Sequence, residues 1–179
     1  MAIKTRKNKL ISKNDLMLSS LKKYYYNQDE KIERIKQVAC VDTRKINKKD
    51  ISLRIIEWFV TNYSKKYGIA WIQEKEINGI KTYNQFNVFL NYKSQLNAYS
   101  KKQFDPFCRR NRINFIYNNN GDVLITTIGQ LNFFRWALDN EILEYVEENH
   151  EHIEHDMNNS IKQHYNNNNI EIIAVNGKK

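Results

Sequence analysis

The chain has 179 residues, 41% of them hydrophobic and 12% aromatic, which is enough for one domain with a genuine core or one domain plus an arm. Its formal charge of +9 favours nucleic acid, an anionic membrane surface or an acidic protein as partner. No apolar run approaches the roughly 20 residues of a membrane span, the first nine residues (Met-Ala-Ile-Lys-Thr-Arg-Lys-Asn-Lys) carry charge without the apolar stretch of a secretory signal, and Cys40 and Cys108 belong to no C-x-x-C pair, which argues against a zinc finger. A soluble, intracellular protein without cofactor or membrane contact is expected.

Positive charge is concentrated early: residues 1–50 hold 14 Lys/Arg against 6 Asp/Glu, whereas residues 101–150 hold 6 against 7. Residues 1–10 read as a basic arm. Leu16 to Tyr26 predicts a short helix with Leu18 and Leu21 on one face, and Glu30 to Ala39 a second with Ile32, Ile35, Val38 and Ala39 at helical spacing. Residues 40–49 are polar and read as a linker. Asp50 is placed to cap an amphipathic helix from Ile51 to Tyr67, with Ile55, Trp58, Phe59 and Tyr63 on its buried side and Gly68 as C-cap. Ile69 to Gln73 predicts a strand and Asn78-Gly79 a turn.

Gln85 to Tyr99 fits both periods, and is read as strand first and helix later. Arg112 to Tyr117 and Asp122 to Thr126 flank Asn118-Asn119-Asn120-Gly121, which predicts a β-hairpin. Thr127 then caps a helix from Ile128 to Leu138 that offers Leu131, Phe134, Trp136 and Leu138 for burial. Asp139-Asn140 interrupts it, and a further helix runs from Glu141 to about Tyr165, acidic at its start as the helix dipole prefers. Asn166 to Asn169 reads as a break before a terminal strand, Ile170 to Val175. The expectation is an α+β fold: a small mixed domain over residues 50–165 with a β-hairpin and packed helices. A basic, partly helical N-terminal arm over residues 1–49 precedes it, and a tail over 166–179 follows.

The stretch Tyr92 to Arg112 carries the most pointed chemistry. It holds three lysines, three arginines, four aromatic residues and Pro106, the sole proline of the chain. Cations interleaved with π-faces suit a polyanion that also offers stackable rings. Arg109, Arg110 and Arg112 offer forked contacts to phosphates, and Lys93, Lys101 and Lys102 add salt-sensitive attraction. Tyr92, Tyr99, Phe104 and Phe107 offer stacking faces or core anchors. Anchoring is the favoured reading for Phe104 and Phe107, which flank Asp105-Pro106. Asp105 either starts a turn or pairs with an arginine.

A hairpin beside the helix at Thr126–Leu138 is reminiscent of the winged-helix theme in an atypical order. Gln130, Asn132 and Arg135 on that helix have the chemistry to read base edges, although Phe133, Phe134 and Trp136 crowd the same helix and demand burial. Cys108 beside Arg109 and Arg110 has the setting for a lowered thiol pKa, but a packed bystander is favoured because no His adjoins it. In the run His150 to His155, His152 and His155 share a helical face with Glu148 and Glu151 one turn before. This is not the H-E-x-x-H arrangement, and a solvated face is favoured over a metal site. The acidic segment Glu141–Asp156 could dock a basic partner or the chain's own N-terminal arm. No P-loop, G-x-G-x-x-G, G-x-S-x-G or kinase motif is present, so the reading is non-enzymatic.

Three segments together carry a resemblance. Ser52-Leu53-Arg54-Ile55-Ile56-Glu57-Trp58-Phe59-Val60-Thr61-Asn62-Tyr63, the stretch Tyr92 to Arg110, and Thr126-Thr127-Ile128-Gly129-Gln130-Leu131-Asn132-Phe133-Phe134-Arg135-Trp136-Ala137 resemble a conserved, uncharacterised protein family of large DNA viruses of eukaryotes, the mimivirus and marseillevirus type. The resemblance covers roughly residues 50–150. It implies a viral protein working in the infected cell, in the host cytoplasm or viral factory, or packaged in the particle, and it gives no catalytic residues to carry over. The combined expectation is a nucleic-acid-associated viral protein in genome organisation, packaging or transcription. It would bind mainly by phosphate contacts from Lys93, Lys101, Lys102, Arg109, Arg110, Arg112 and Arg135. The alternative is a virion structural or adaptor protein that docks on an acidic viral protein.

Overall fold

A computed structural model describes residues 12–39 and 51–176. Helix α1 (Lys13–Tyr25) starts at a reciprocal capping box. The Ser12 hydroxyl accepts the Asp15 N–H, and the Asp15 carboxylate accepts the Ser12 N–H, so two orphan donors of the first turn are satisfied. Asn27, at a positive φ of 53°, turns the chain and donates its N–H to the Tyr117 carbonyl. Helix α2 (Asp29–Ala39) then buries Ile32, Ile35 and Val38, as their spacing predicts. The linker expected over 40–49, the arm over 1–10 and Asp50 lie outside the described residues.

The next helical stretch departs from the expectation in two ways. Ser52, not Asp50, caps α3 (Leu53–Trp58), its hydroxyl accepting the Ile55 N–H. A π-helical turn (Phe59–Tyr63) then separates α3 from α4 (Ser64–Tyr67). The wider turn shifts the apolar stripe, so Ile56 and Val60 are buried with Ile55 and Phe59 while Trp58 and Tyr63 stay half-buried. Gly68 ends the helix in the left-handed region, at φ 64°.

Strands β1 (Ala70–Ile77) and β2 (Ile80–Asn87) form an antiparallel hairpin closed by Asn78 and Gly79, both at positive φ, with Ile77 opposite Ile80. Trp71 and Phe86 anchor the hairpin base, with ring centroids 5.2 Å apart. Asn87 caps α5 (Val88–Ala98), so the strand-then-helix reading of 85–99 describes the segment. Strands β3 (Ile113–Ile116) and β4 (Val123–Thr126) form the expected second hairpin, with Phe115 opposite Leu124 on its buried face.

Helix α6 (Ile128–Asp139) is the centre of the molecule. Leu131, Phe133, Phe134, Trp136 and Ala137 are all buried, which places apolar contact on more than one side of the helix. Helix α1 lies against it, and the Tyr25 hydroxyl donates to the Leu131 carbonyl at 2.8 Å inside the core. Burial pushes the Tyr25 phenol pKa far up. Leu21, Tyr25, Ile32, Ile35 and Val38 belong to the same hydrophobic cluster as α6, so residues 13–39 are part of the folded core and not an appendage to it.

The single helix expected from Glu141 is two helices, α7 (Ile142–Glu148) and α8 (His150–Asn176), with Glu141 at φ 58° and Asn149 between them. The terminal strand expected at Ile170–Val175 is corrected: α8 continues through it. A strand needs a neighbour to satisfy its backbone, and neither two-stranded sheet among the described residues takes a third strand, whereas a helix satisfies its backbone alone. Helices around two antiparallel hairpins make the fold α+β. Among the described residues no helix is long and apolar enough to cross a membrane.

Candidate functional site

The basic-aromatic tract begins on α5 and, from residue 99 to 112, folds into a loop strapped to the first half of α6. The Thr127 hydroxyl donates to the Cys108 carbonyl (3.3 Å), the Gln130 amide to the Pro106 carbonyl (3.0 Å) and the Asn132 amide to the Gln103 carbonyl (3.0 Å). The Asp105 N–H donates to the Gly129 carbonyl. Gly129 permits this approach, because a Cβ there would lie 2.9 Å from the Lys102 carbonyl oxygen. From the other side, Gln103 donates its amide to the Asn14 side chain of α1 at 2.7 Å.

These straps engage the polar side chains of α6 that have the chemistry to read base edges. Gln130 and Asn132 spend their amides on loop carbonyls. Arg135 donates to the Ser20 hydroxyl at 2.9 Å, lies 3.7 Å from the Asp139 carboxylate and sits over the Tyr24 ring. All three therefore make contacts within the fold, and Arg135 does not line the groove described below.

The tract's aromatic residues divide sharply. Phe104 is 1% exposed and packs among Tyr92, Phe133 and Trp136. Tyr92 is buried beside it, its phenol pKa pushed up to about 12 by desolvation first and by the Glu57 and Asp105 charges second. Tyr99 is half-buried and stacks on Phe104. Phe107, expected as a second anchor, is instead 40% exposed. The Cys108 N–H donates to the Asp105 carbonyl, which closes a β-turn with Pro106 and Phe107 at its corner; Pro106 packs inward and Phe107 faces out. Asp105 starts this turn, its carboxylate accepting the Phe107 N–H at 2.8 Å, and among the described residues it pairs with no arginine.

Lys93, Lys101, Lys102, Arg109, Arg110 and Arg112 are all exposed. Among the described residues none of the six has an ion-pair partner. Four of them, Lys101, Lys102, Arg109 and Arg110, line one groove of about 950 Å³, together with Phe107, Cys108, Asn14 and the start of α6 at Thr127 and Ile128. Lys93 on α5 and Arg112 before β3 lie outside it. Cys108 is half-exposed with its thiol near the Arg110 carbonyl. Two contributors escape a linear reading. Asn14 sits far away in sequence. Gly129 is visible only as a glycine inside a predicted helix, which hints at close backbone approach.

A second concavity, of about 410 Å³, lies between the π-helical region and α8. It is lined by Tyr63, Lys66, Tyr67, His152, His155 and Asp156, among others. Asp156 is 7% exposed and accepts from Trp58 Nε1 (3.0 Å), Lys66 Nζ (2.5 Å) and the Tyr67 hydroxyl (3.0 Å). Burial pushes its carboxyl up, but these three donors outweigh burial and hold the pKa below its ordinary value. Among the described residues no group of three or more His, Cys, Asp or Glu is placed to hold a metal ion. Part of the acidic segment does meet the N-terminal half of the chain, because Arg34 of α2 pairs with Glu147 of α7.

Comparison with known proteins gives family and not activity. The chain is 36% identical over 165 residues to Uncharacterized protein L507 of Acanthamoeba polyphaga mimivirus; the alignment covers 90% of this chain. The chain spans about 60% of that relative's length. No solved structure matches. Residues 3–176 match a family of unknown function, DUF7197, so the match takes in α1 and α2 as well as the segments that carried the resemblance. The chain thus belongs to the DUF7197 family, and its resemblance to an uncharacterised protein family of large DNA viruses stands.

Proposed function

We propose that this protein associates with nucleic acid through phosphate contacts, in organising, packaging or transcribing a viral genome, and that it is not an enzyme. The observation that carries the reading is the groove: Lys101, Lys102, Arg109 and Arg110 line it without ion-pair partners among the described residues, and its one carboxylate among them, Asp105, accepts a backbone N–H beside it. Unpaired cations around a concavity attract a polyanion and release its counterions on binding. Lys93 and Arg112 would extend the contact beyond the groove. The test is titration of labelled duplex and single strands from low to physiological salt. Affinity should fall steeply as salt rises; no binding at low salt removes the proposal.

A second reading, a virion structural or adaptor protein docking on an acidic protein partner, is favoured by exposed apolar side chains. Tyr83, Ile72 and Ile80 on the first hairpin and Ile116, Val123 and Ile125 on the second are exposed. Purification from infected cells with and without nuclease separates the two. A protein partner retained after nuclease treatment, with no nucleic acid in the untreated sample, supports the adaptor.

A further inference from the structure

We propose that the groove takes single-stranded nucleic acid, with phosphates on Lys101, Lys102, Arg109 and Arg110 and one unstacked base on Phe107. The proposal rests on the nucleic-acid reading above and names the form of the ligand. Four observations lead to it.

Among the described residues, neither α6 nor either hairpin is suited to reading a duplex groove. A helix or β-ribbon must project into the major groove to reach base edges. Helix α6 is buried, and its polar side chains are engaged with the loop and α1. The first hairpin projects, but its outer residues Glu74, Lys75, Glu76 and Lys81 balance in charge, and Lys81 pairs with Glu74 at 2.6 Å. The second hairpin presents Ile116, Val123 and Ile125.

The cations line a concavity. A flexible strand can follow its phosphates into a groove of about 950 Å³, whereas a duplex is a convex cylinder that meets only the rim. The start of α6 also opens here, and the positive end of its dipole adds to the four side-chain charges.

The third observation is the stacking ring. Of the four aromatic residues in the tract, Tyr92, Tyr99 and Phe104 are committed to packing, and Phe107 alone lies open in the groove. Its backbone is fixed by the Asp105 turn, with Pro106 buried behind it. A ring held in place loses little freedom when a base stacks on it. Fourth, Phe107 shares the groove with Arg109 and Arg110, which suits a ligand that offers phosphate and base a few ångströms apart.

The experiment compares three labelled probes of equal phosphate number at one low salt concentration: oligothymidylate, an abasic deoxyribose-phosphate strand, and a duplex. The 179-residue chain should bind oligothymidylate more tightly than the other two. Phe107→Ala should weaken oligothymidylate binding by about five- to a hundredfold, the range of one base stacked on an aromatic ring. It should leave the abasic strand's affinity unchanged, and Phe107→Trp should restore thymidylate binding. Circular dichroism and thermal unfolding of both variants should match the parent, since the ring lies at an exposed turn. Duplex binding equal to or tighter than oligothymidylate overturns the single-strand proposal. Equal losses on the thymidylate and abasic probes also overturn it. If no probe binds, the nucleic-acid reading itself has failed. If all three bind with equal salt dependence and Phe107→Ala changes nothing, that reading survives and this one does not.

Discussion

The side-chain amide of Asn132 donates to the carbonyl of Gln103 at 3.0 Å, with both residues buried. One helical side chain thus satisfies a loop carbonyl that has no strand or helix partner of its own. The loop carrying Lys101, Lys102, Arg109 and Arg110 is fixed to the central helix by this bond and its two neighbours from Thr127 and Gln130.

Replacing Asn132 by leucine keeps bulk but leaves the Gln103 carbonyl buried and unpaired. The expected cost is about 1–3 kcal/mol, measured as a lower urea midpoint with unchanged slope. Any polyanion binding should weaken too, although Asn132 itself reaches no ligand, because the cations would no longer be held in one arrangement.

Gly129→Ala tests the close approach. In an exposed helix interior alanine would stabilise by about 1 kcal/mol relative to glycine. Here the added Cβ meets the Lys102 carbonyl oxygen at 2.9 Å, and backbone must move. Net destabilisation of about 1–3 kcal/mol is expected, as for overpacked sites. A variant more stable than the parent would show that the loop yields without cost.

Removal of the first 45 residues should abolish cooperative unfolding. Leu21, Tyr25, Ile32, Ile35 and Val38 are core residues, and their loss would uncover the face of α6 that receives the Tyr25 hydroxyl. A milder probe is Tyr25→Phe, which deletes that hydrogen bond alone and should cost about 1 kcal/mol. A truncated chain that still melts in one sharp transition would restore the idea of an independent arm.

Asp156 sets an acid limit to stability. Its folded pKa is lowered, so its contribution is fully present above the unfolded value near 3.9 and is lost as the pH falls through the folded one. Asp156→Asn should therefore be less stable than the parent at neutral pH, by about 1–3 kcal/mol. The gap should close as the pH is lowered below about 4. Melting temperatures of both proteins across that range decide the matter; a gap independent of pH would assign the effect to packing rather than to charge.

The cationic groove should be separable from the fold. Replacing Arg109, Arg110 and Arg112 by alanine should change stability by no more than about 0.5 kcal/mol each, since all three are exposed and have no ion-pair partner among the described residues. The salt slope for oligothymidylate should drop by about 0.7 for each phosphate that is no longer neutralised. Arg112 lies outside the groove, so Arg112→Ala alone should change the slope less than either groove arginine. Equal effects from all three would mean that charge acts diffusely and the groove has no special part.

Local signals in the sequence determined most of the elements. Asn78-Gly79 and Asn118 to Gly121 marked both turns, because glycine and asparagine adopt positive φ at little cost. Thr127 marked the start of α6, and the 3.6-residue spacing of Ile32, Ile35 and Val38 marked a buried face. All of these depend on neighbours within a few positions. What the sequence could not decide was which polar and aromatic side chains face inward. Gln130, Asn132 and Arg135 have the same donors whether they meet a base edge or a group far away in the chain. Phe104 and Phe107 are the same residue type three positions apart, and only the turn at Asp105 sends one into the core and the other into the groove. The run of α8 through Ile170–Val175 likewise depends on which conformation satisfies the backbone. These choices belong to tertiary structure, because burial of a polar group is tolerated only where a partner waits for it.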